Sequence, residues 1–455
     1  MNALQRDLSA LLGDSALKTA GEAVEYLHDS TEMQGLHGHA DAVVAPADVA
    51  GVRALVRWCY AHEVAIVPRG GGTGFAGGAV PFGGVVCSLE RLDRVRSFTP
   101  ELWRMEVDAG VTTGRVQRLA RESGLYYPPD PGAVEQSQIG GNIACNAGGP
   151  HSFKYGVTRE WVTGVDAVIA DGELVRWGGR VRKDVAGYDL RSLLCGSEGT
   201  LGVITGAWLR LVPAPELSAS VAAVYGSLAA GTAALGRVIG SGLNPAALEF
   251  FDEGCVAASG AAFPHGLPPQ ARFLVLAEAD GSRETVLLSL AELEEALGVD
   301  ALMTRRFETA AAQRDLWRWR NGVSFAVAAQ RGGKMSEDVA VPFEALADAI
   351  QATVEIGRRR GLEACSWGHA GDGNLHATFM IDARSAAEVE RAMAAHQELF
   401  ARALELGGTV SGEHGLGWVK RDQFDRRFSA VEAGLQRRIK AVFDPKGLFN
   451  PGKKL

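Results

Sequence analysis

The sequence predicts an α+β chain of more than one domain. Three observations carry that reading. Short apolar runs of strand length recur between segments whose apolar residues fall at helical spacing, and they do so along most of the 455 residues. A Pro213-Ala214-Pro215 break interrupts the alternation. At roughly 100–200 residues per domain, this length accommodates two to four domains with ample core. Strands drawn from distant segments, with longer helices between them, build layered sheets rather than a bundle.

The elements follow in order. Residues 46–62 have helical apolar spacing, with Asp48 suited to the first turn. Short strands are expected at 64–68, 83–89 and 105–109, then a helix at 113–124. Between 163 and 213 the chain returns to strands, with a turn at Asp171-Gly172. From 217 strands alternate with longer helices: a strand and an Ala-rich helix to about Ser241, a strand at 271–279 and a helix at 282–297. A helix at 343–361, the 366–381 segment, a helix at 385–407 and a last helix from Ala430 to Asp444-Pro445 complete the series. The boundaries expected are 1–215, with subdomains at about 1–97 and 98–215, then 216–425, then 426–455.

Composition narrows the function. Lys+Arg 46 against Asp+Glu 54 gives a net charge of −8, which lends no support to a nucleic-acid or anionic-membrane partner. The six cysteines form no CxxC pair, as reduced and mostly buried thiols of a cytoplasmic protein would not. Asp7 and Asp14 stand where a signal peptide would need an apolar run. The uncharged stretch 217–236 contains Ser218, Ser220, Ser227, Thr232 and glycines, so a buried strand and helix are expected there rather than a membrane span.

The 57 glycines are about one residue in eight against a usual ~7%, and they gather at a few loops. Pro68-Arg69-Gly70-Gly71-Gly72-Thr73-Gly74-Phe75-Ala76-Gly77-Gly78 contains a literal GxGxxG. The dinucleotide fingerprint needs a helix directly after the turn, and here Pro81, Gly83, Gly84 and a strand follow instead. A glycine loop joining two strands can still converge its N–H groups on a phosphate, with Arg69 and Thr73 adding a charge and a hydroxyl. The segment 137–149 carries almost no side chain at Gly140, Gly141, Ala144, Ala147, Gly148 and Gly149, which suits it to lie flat against a planar ligand. Residues 196–204 form a third glycine turn into a strand.

A different chemistry appears at Gly368-His369-Ala370-Gly371-Asp372-Gly373-Asn374-Leu375-His376. Two imidazoles at this odd spacing would face opposite ways on one straight strand, but the Gly-Asp-Gly-Asn between them is turn chemistry that folds the chain back. Gly412-Glu413-His414-Gly415 supplies a carboxylate and a third imidazole. Two His and one Glu with an open position make a catalytic arrangement for zinc or a similar divalent ion, the alternative being capped turn histidines.

PRGGGTGFAGG, IGGNIACNAGG, KYGVTRE, DVAGYDLRSLLCGSEGTLGVIT and FDPKGLFNPGK together resemble the FAD-linked oxidases of the vanillyl-alcohol-oxidase fold. More narrowly they resemble the branch of D-lactate dehydrogenases, the glycolate oxidase D subunit and D-2-hydroxyglutarate dehydrogenase. The resemblance spans about 40–455 and implies a two-subdomain PCMH-type FAD-binding domain. It adds an α/β substrate domain with an antiparallel sheet, and a C-terminal tail returning to the flavin. It further implies that Arg69, Gly70, Gly71, Gly72, Thr73 and Gly74 cradle the FAD pyrophosphate. Ser137, Gly140, Gly141, Asn142, Ala144, Gly148 and Gly149 would run along the flavin, with Pro131, Gly156 and Val157 counted among the cofactor residues. Glu198, Gly199, Gly202 and Ile204 would take the adenosine side, and Asn450 would reach the flavin ring. No His lies between His62 and His151, so the expected attachment is noncovalent.

For the reaction, the resemblance makes His369, His376 and Glu413 the metal ligands. Zinc is expected, and manganese, iron or cobalt also suit the set. Arg320 and Lys334 would bind the substrate carboxylate, Ser324 stands near a position that is Thr in the 2-hydroxyglutarate enzymes, and His414 would be the base. Thr378 stands where those enzymes have Asn, a departure that bears on a five-carbon diacid. The implied activity is oxidation of a D-2-hydroxy acid to the 2-oxo acid. A quinone, a cytochrome or an electron-transfer flavoprotein would then accept the electrons. Two alternatives stay open at this point, a flavin subunit that works only within a complex and a zinc hydrolase; a homodimer and a complex subunit both fit.

Overall fold

The computed structural model describes residues 1–455, the side chains of Met33 and Gln34 excepted. It divides into two units: residues 1–148, 157–213 and 413–455 form the first, and 149–156 with 214–412 form the second.

The first unit holds two principal sheets. β1 (Ala42–Val44), β2 (Ile66–Arg69) and β3 (Val85–Ser88) make a parallel sheet in the order β1-β3-β2. β4 (Val95–Thr99), β5 (Arg104–Asp108), β7 (Val162–Val168), β8 (Leu174–Gly178) and β9 (Val203–Arg210) make an antiparallel sheet in the order β4-β5-β9-β7-β8. β6 (Leu125–Tyr126) and β10 (Val212–Pro213) pair as a short ribbon. The helix Val49–His62 starts where the Asp48 side chain accepts from Gly51 N–H at 2.9 Å, and it buries Val52, Leu55, Val56 and Cys59 at helical spacing. The tail returns to this unit. Asn450 N–H donates to Ile66 O at 2.7 Å beside β2, and the Asp444 carboxylate accepts from Leu448 and Phe449 N–H at 2.9 and 2.8 Å.

The second unit is one antiparallel sheet of β11 (Leu217–Tyr225), β12 (Ala247–Phe251), β13 (Phe273–Gly281), β14 (Met303–Phe307), β15 (Gly333–Ala340), β16 (Glu363–His369) and β17 (Asn374–Ile381). The order is β14-β11-β13-β12-β16-β17-β15. Register decides what each face carries, because alternate residues point the same way. Leu276 pairs with Glu249, Glu249 with His369, Trp367 with His376, and His376 with Asp338. Glu278, Glu249, His369, His376 and Asp338 therefore share one face in a row across five strands. Lys334, Ser336 and Thr378 share that face, and on its apolar part Leu316, Trp319, Val323 and Val327 of the helix Ala310–Arg331 pack with Phe251, Leu274 and Trp367. Helices Leu228–Gly240, Arg283–Gly298, Leu346–Arg360 and Ala386–Glu405 also pack on the sheet.

The uncharged stretch at 217–236 is the buried β11 and the start of the helix Leu228–Gly240. Among the described residues no helix is long and apolar enough to cross a membrane. Five of the six thiols are buried, and no disulfide joins any of them among the described residues. Two expectations change. The second unit ends at 412, not 425, and residues 149–156 cluster with it although they sit far from it in sequence. The segment 137–149 is not flat throughout, since Ile139–Cys145 is a helix that ends where Asn146 turns left-handed at φ +54°.

Candidate active site

The first unit supplies the phosphate-type loops. The glycine loop joins β2 directly to β3 with no helix between them, as the missing helix signal implied. A Cβ on Gly71 would fall 2.1 Å from Gln136 O, so this backbone lies directly on the second glycine segment, and Gly70 lies 3.5 Å from Gly141 in the same sense. Gly74, Gly78 and Gly141 face open space, where a side chain would meet nothing within 4 Å. Gln138 Oε1 and Ser197 Oγ are buried without a hydrogen-bond partner in the second and third loops. A backbone cradle with two orphaned polar atoms fits a ligand that brings its own polar groups, as a dinucleotide does. FAD accordingly fits the residues present. In Gly71→Ala the clash is with main chain, so the loop has to move. The expected result is protein that purifies largely without flavin while its circular dichroism is unchanged, checked by the ratio of visible to 280 nm absorbance.

Several of the expected cofactor side chains brace the loops. Arg69 is buried, and Nη1 and Nη2 donate to His28 O and Glu25 O at 2.6 and 2.9 Å, which ties the N-terminal segment under the loop. Thr113 Oγ1 joins Ser137 Oγ at 2.8 Å and accepts from Asn142 Nδ2 at 2.6 Å, bracing the helix Ile139–Cys145. Ala144 O accepts from Glu198 N–H at 2.7 Å, which links the second loop to the third. Thr73 and Pro131 are half-buried, Gly148 and Gly149 buried, and Gly156, at φ +75°, precedes Val157 and ends a one-turn helix. Gly199 and Gly202 take φ +72° and +149° on the way into β9, where Ile204 is buried. Asn450 Nδ2 donates to Gly78 O and Glu198 O, both at 2.8 Å, so the tail binds the first and third loops together.

Glu198 has a place that its motif did not signal. Its carboxylate accepts from Leu416 and Gly417 N–H at 3.2 and 2.6 Å and from Lys454 Nζ at 3.0 Å. It therefore holds the turn that presents His414, whose ring stacks on Phe75 of the glycine loop with centroids 5.0 Å apart.

The second unit supplies the imidazoles and cations. Gly373, at φ +66°, closes the β16–β17 hairpin and brings the His369 and His376 rings to 5.6 Å. His369 Nδ1 lies 2.5 Å from Glu249 Oε1, and Arg320 Nε and Nη2 donate to Glu249 Oε2 at 2.8 and 2.5 Å. Burial alone would raise the Glu249 carboxyl, but the Arg320 guanidinium outweighs it and, with His369, holds the group down at about 2. A carboxylate on one ring nitrogen fixes the tautomer and turns Nε2 to the acceptor form that an ion would require, the usual support of a metal-binding histidine. The residues present thus fit a divalent ion. Ser411 Oγ donates to Asp338 on the same face at 3.1 Å. A Cβ on Gly412 would meet Asn374 Nδ2 at 2.0 Å, so the chain is pinned there one residue before Glu413, and Asn374 Oδ1 is buried with no partner.

Lys334 is half-buried on β15 with Nζ 5.0 Å from the centre of the Trp367 ring, and burial pushes its ammonium down to about 8. Ser324, one turn beyond Arg320 on the helix Ala310–Arg331, is half-buried, and Thr378 hydrogen-bonds Ser336 at 2.7 Å. Sequence reasoning missed Glu249 and Glu278, the latter accepting from Trp317 Nε1 at 2.6 Å and facing His151 Nε2 at 3.1 Å. The signal was a lone Glu within the apolar run Ala246–Phe251, because a carboxylate buried there requires a partner.

Two family models match this chain: "FAD linked oxidases, C-terminal domain" over residues 214–454 and "FAD binding domain" over residues 40–178. The glycolate oxidase subunit GlcD of Bacillus subtilis is 37% identical over 95% of this chain and 92% of its own. A D-lactate dehydrogenase of Anaerostipes hadrus is 32% identical over 94% and 92%. A D-2-hydroxyglutarate dehydrogenase of Xanthomonas citri pv. viticola is 37% identical over 90% and 88%. Among solved structures, p-cresol methylhydroxylase with substrate bound superposes with a TM-score of 0.81 at 17% identity, covering 99% of this chain and 95% of that one.

Proposed function

The chain belongs to the FAD-linked oxidases, and on that premise we propose that it oxidises a D-2-hydroxy acid of the glycolate, D-lactate or D-2-hydroxyglutarate class to the 2-oxo acid. The observation that carries this reading is the polar row of the second unit, where Lys334 over Trp367, His376, His369 and the Glu249–Arg320 pair succeed one another on one sheet face. Cations for a carboxylate stand there beside imidazoles for a hydroxyl-binding ion, which is the functional-group pattern of a 2-hydroxy acid.

In this reading Lys334 and Arg320 hold the carboxylate, with Ser324 on the same helix face, and Glu249 fixes the angle at which Arg320 presents its fork. His369, His376 and Glu413 would hold the divalent ion, zinc or one of manganese, iron and cobalt, which would supply the Lewis acidity that lowers the pKa of a hydroxyl. His414, held by the Glu198-braced turn, takes the hydroxyl proton. FAD, noncovalently bound, would supply the acceptor for the α-hydrogen, which leaves with its two electrons as hydride. A quinone, a cytochrome, an electron-transfer flavoprotein or a partner subunit takes them onward. The printed name of the Bacillus subtilis relative, a subunit, favours a second reading in which the chain turns over only within a complex. The matched FAD-binding model supports either over a zinc hydrolase.

The test is the visible spectrum under anaerobic addition of D-lactate, glycolate and D-2-hydroxyglutarate in turn. Bleaching of the flavin bands by one acid is the expected result. Bands that persist with all three would point to the partner-dependent reading, and no bands after incubation with FAD would sink both. A pH effect follows from Lys334. Its ammonium binds the carboxylate below about 8 and is neutral above, so kcat/KM falls as pH rises through about 8. Lys334→Gln should lower kcat/KM throughout and flatten that limb of the profile.

A further inference from the structure

The outward face of the β4-β5-β9-β7-β8 sheet treats its arginines in two ways. At one end Arg96 lies among carboxylates, with Nε 2.6 Å from Asp108, Nη1 2.6 Å from Asp166 and Glu106 at 3.4 Å. At the other end Arg104 of β5 stands directly across from Arg210 of β9. Like charges directly opposite in a sheet are destabilising. Arg180 and Arg182, from the segment after β8, join them around a cavity of about 330 Å³ whose only acidic lining residue is the exposed Glu101. None of these four arginines makes an ion pair among the described residues.

Aromatic rings hold them instead. Arg104 and Arg180 lie over Trp208 at 5.9 and 5.1 Å, Arg182 over Trp103 at 5.3 Å, and Arg210 over Trp161 at 4.5 Å. Stacking fixes a guanidinium plane while leaving its donor edge available. Arg182 spends one donor on Leu102 O at 3.2 Å, and Arg104 Nε is buried without a partner. Met105, Val107, Ala207 and Leu209 of the same strands are buried on the inward face, so the groove lies on the opposite side of the sheet from that core. In a chain of net charge −8, four guanidinium groups that line a cavity with the exposed Glu101 as its one carboxylate, and make no ion pair with it, form a preset site for an anion.

We propose that this groove binds a small multivalent anion bearing phosphate or carboxylate groups, at a site separate from the glycine loops. The cavity is at the lower end of small-molecule sites, which sets the size of the occupant. Ring-held guanidinium forks suit oxyanions with two or more charged groups. The geometry rests on the first unit alone and does not depend on the hydroxy-acid reading.

The experiment uses FAD-loaded protein at low ionic strength, titrated calorimetrically with inorganic pyrophosphate and, separately, with citrate. Saturable binding of either probe is expected, weakened about tenfold or more in the double variant Arg104→Gln/Arg210→Gln. The flavin spectrum of that variant should match the parent, and its anion-free melting temperature should be equal or higher because a like-charge pair has gone. Binding of pyrophosphate alone would assign the site to phosphate compounds, and binding of citrate alone to polycarboxylates. Equal affinity in the double variant, or no saturable binding of either probe, would overturn the proposal.

Discussion

His414→Ala keeps its flavin bands and loses about 10²–10⁴-fold in turnover, the range that a positioned general base contributes. The argument rests on how this imidazole is held. Gly415 and Gly417 take φ +85° and +48°, so the chain around His414 is a tight turn, and the Glu198 carboxylate fastens it through Leu416 and Gly417 N–H. The ring lies on Phe75 of the loop that also carries Gly70–Gly74. A residue held this firmly is pre-oriented, and removing it takes away a proton acceptor and one ring contact on Phe75, while the Glu198 and Asn450 bonds that tie the loops together remain. The loss should fall on kcat with KM little changed, because an interaction made only in the transition state acts there. Phe75→Leu, which removes the stacking partner and leaves the imidazole, serves as the comparison and should cost much less. Wild-type kcat in His414→Ala would remove the residue from the mechanism.

How much of this was legible in the sequence depends on where each residue's partners lie along the chain. The His369–His376 pair was readable because its turn, Gly371-Asp372-Gly373, sits between the two and carries its own conformational signal. The absence of a helix after the glycine loop was readable for the same reason, since Pro81, Gly83 and Gly84 are adjacent. Arg69 was visible as a charge beside the loop, but the groups it bonds are main-chain carbonyls at residues 25 and 28, and any residue has a carbonyl. The helix Ile139–Cys145 was hidden because Gly140 and Gly141 are poor helix formers. Tertiary position overrides propensity there, since a Cβ on Gly140 would fall 2.7 Å from Ala109 Cβ. The adherence of residues 149–156 to the second unit left no local trace, being made by Glu278 and Asp280 on a distant strand. Glu249 was lost in the same way, with partners 71 and 120 residues away.

That missed glutamate yields the second large effect. Glu249→Gln keeps the side-chain volume and removes the charge, leaving Arg320 and His369 facing a neutral amide in a site where residue 249 is fully buried. Breaking a buried ion pair at one partner typically costs about 3–5 kcal/mol, because the remaining charge is uncompensated. A large fall in melting temperature is therefore expected. On the proposal that His369 ligates a divalent ion, the same substitution also weakens control of its tautomer, and loss of such a supporting carboxylate typically costs about 10–100-fold in metal affinity. The two consequences separate in the double variant Glu249→Gln/Arg320→Met. Removing the stranded guanidinium should restore most of the stability, since an apolar residue of similar volume can replace a buried ion. Metal affinity, read by competition with a chelator, should stay low because the histidine is still unsupported. If the single variant melts as the parent does, the Glu249–Arg320 pair is not a buried ion pair of consequence. If the double variant recovers stability and metal together, Glu249 supports the arginine alone, and His369 keeps its orientation from the β16–β17 hairpin.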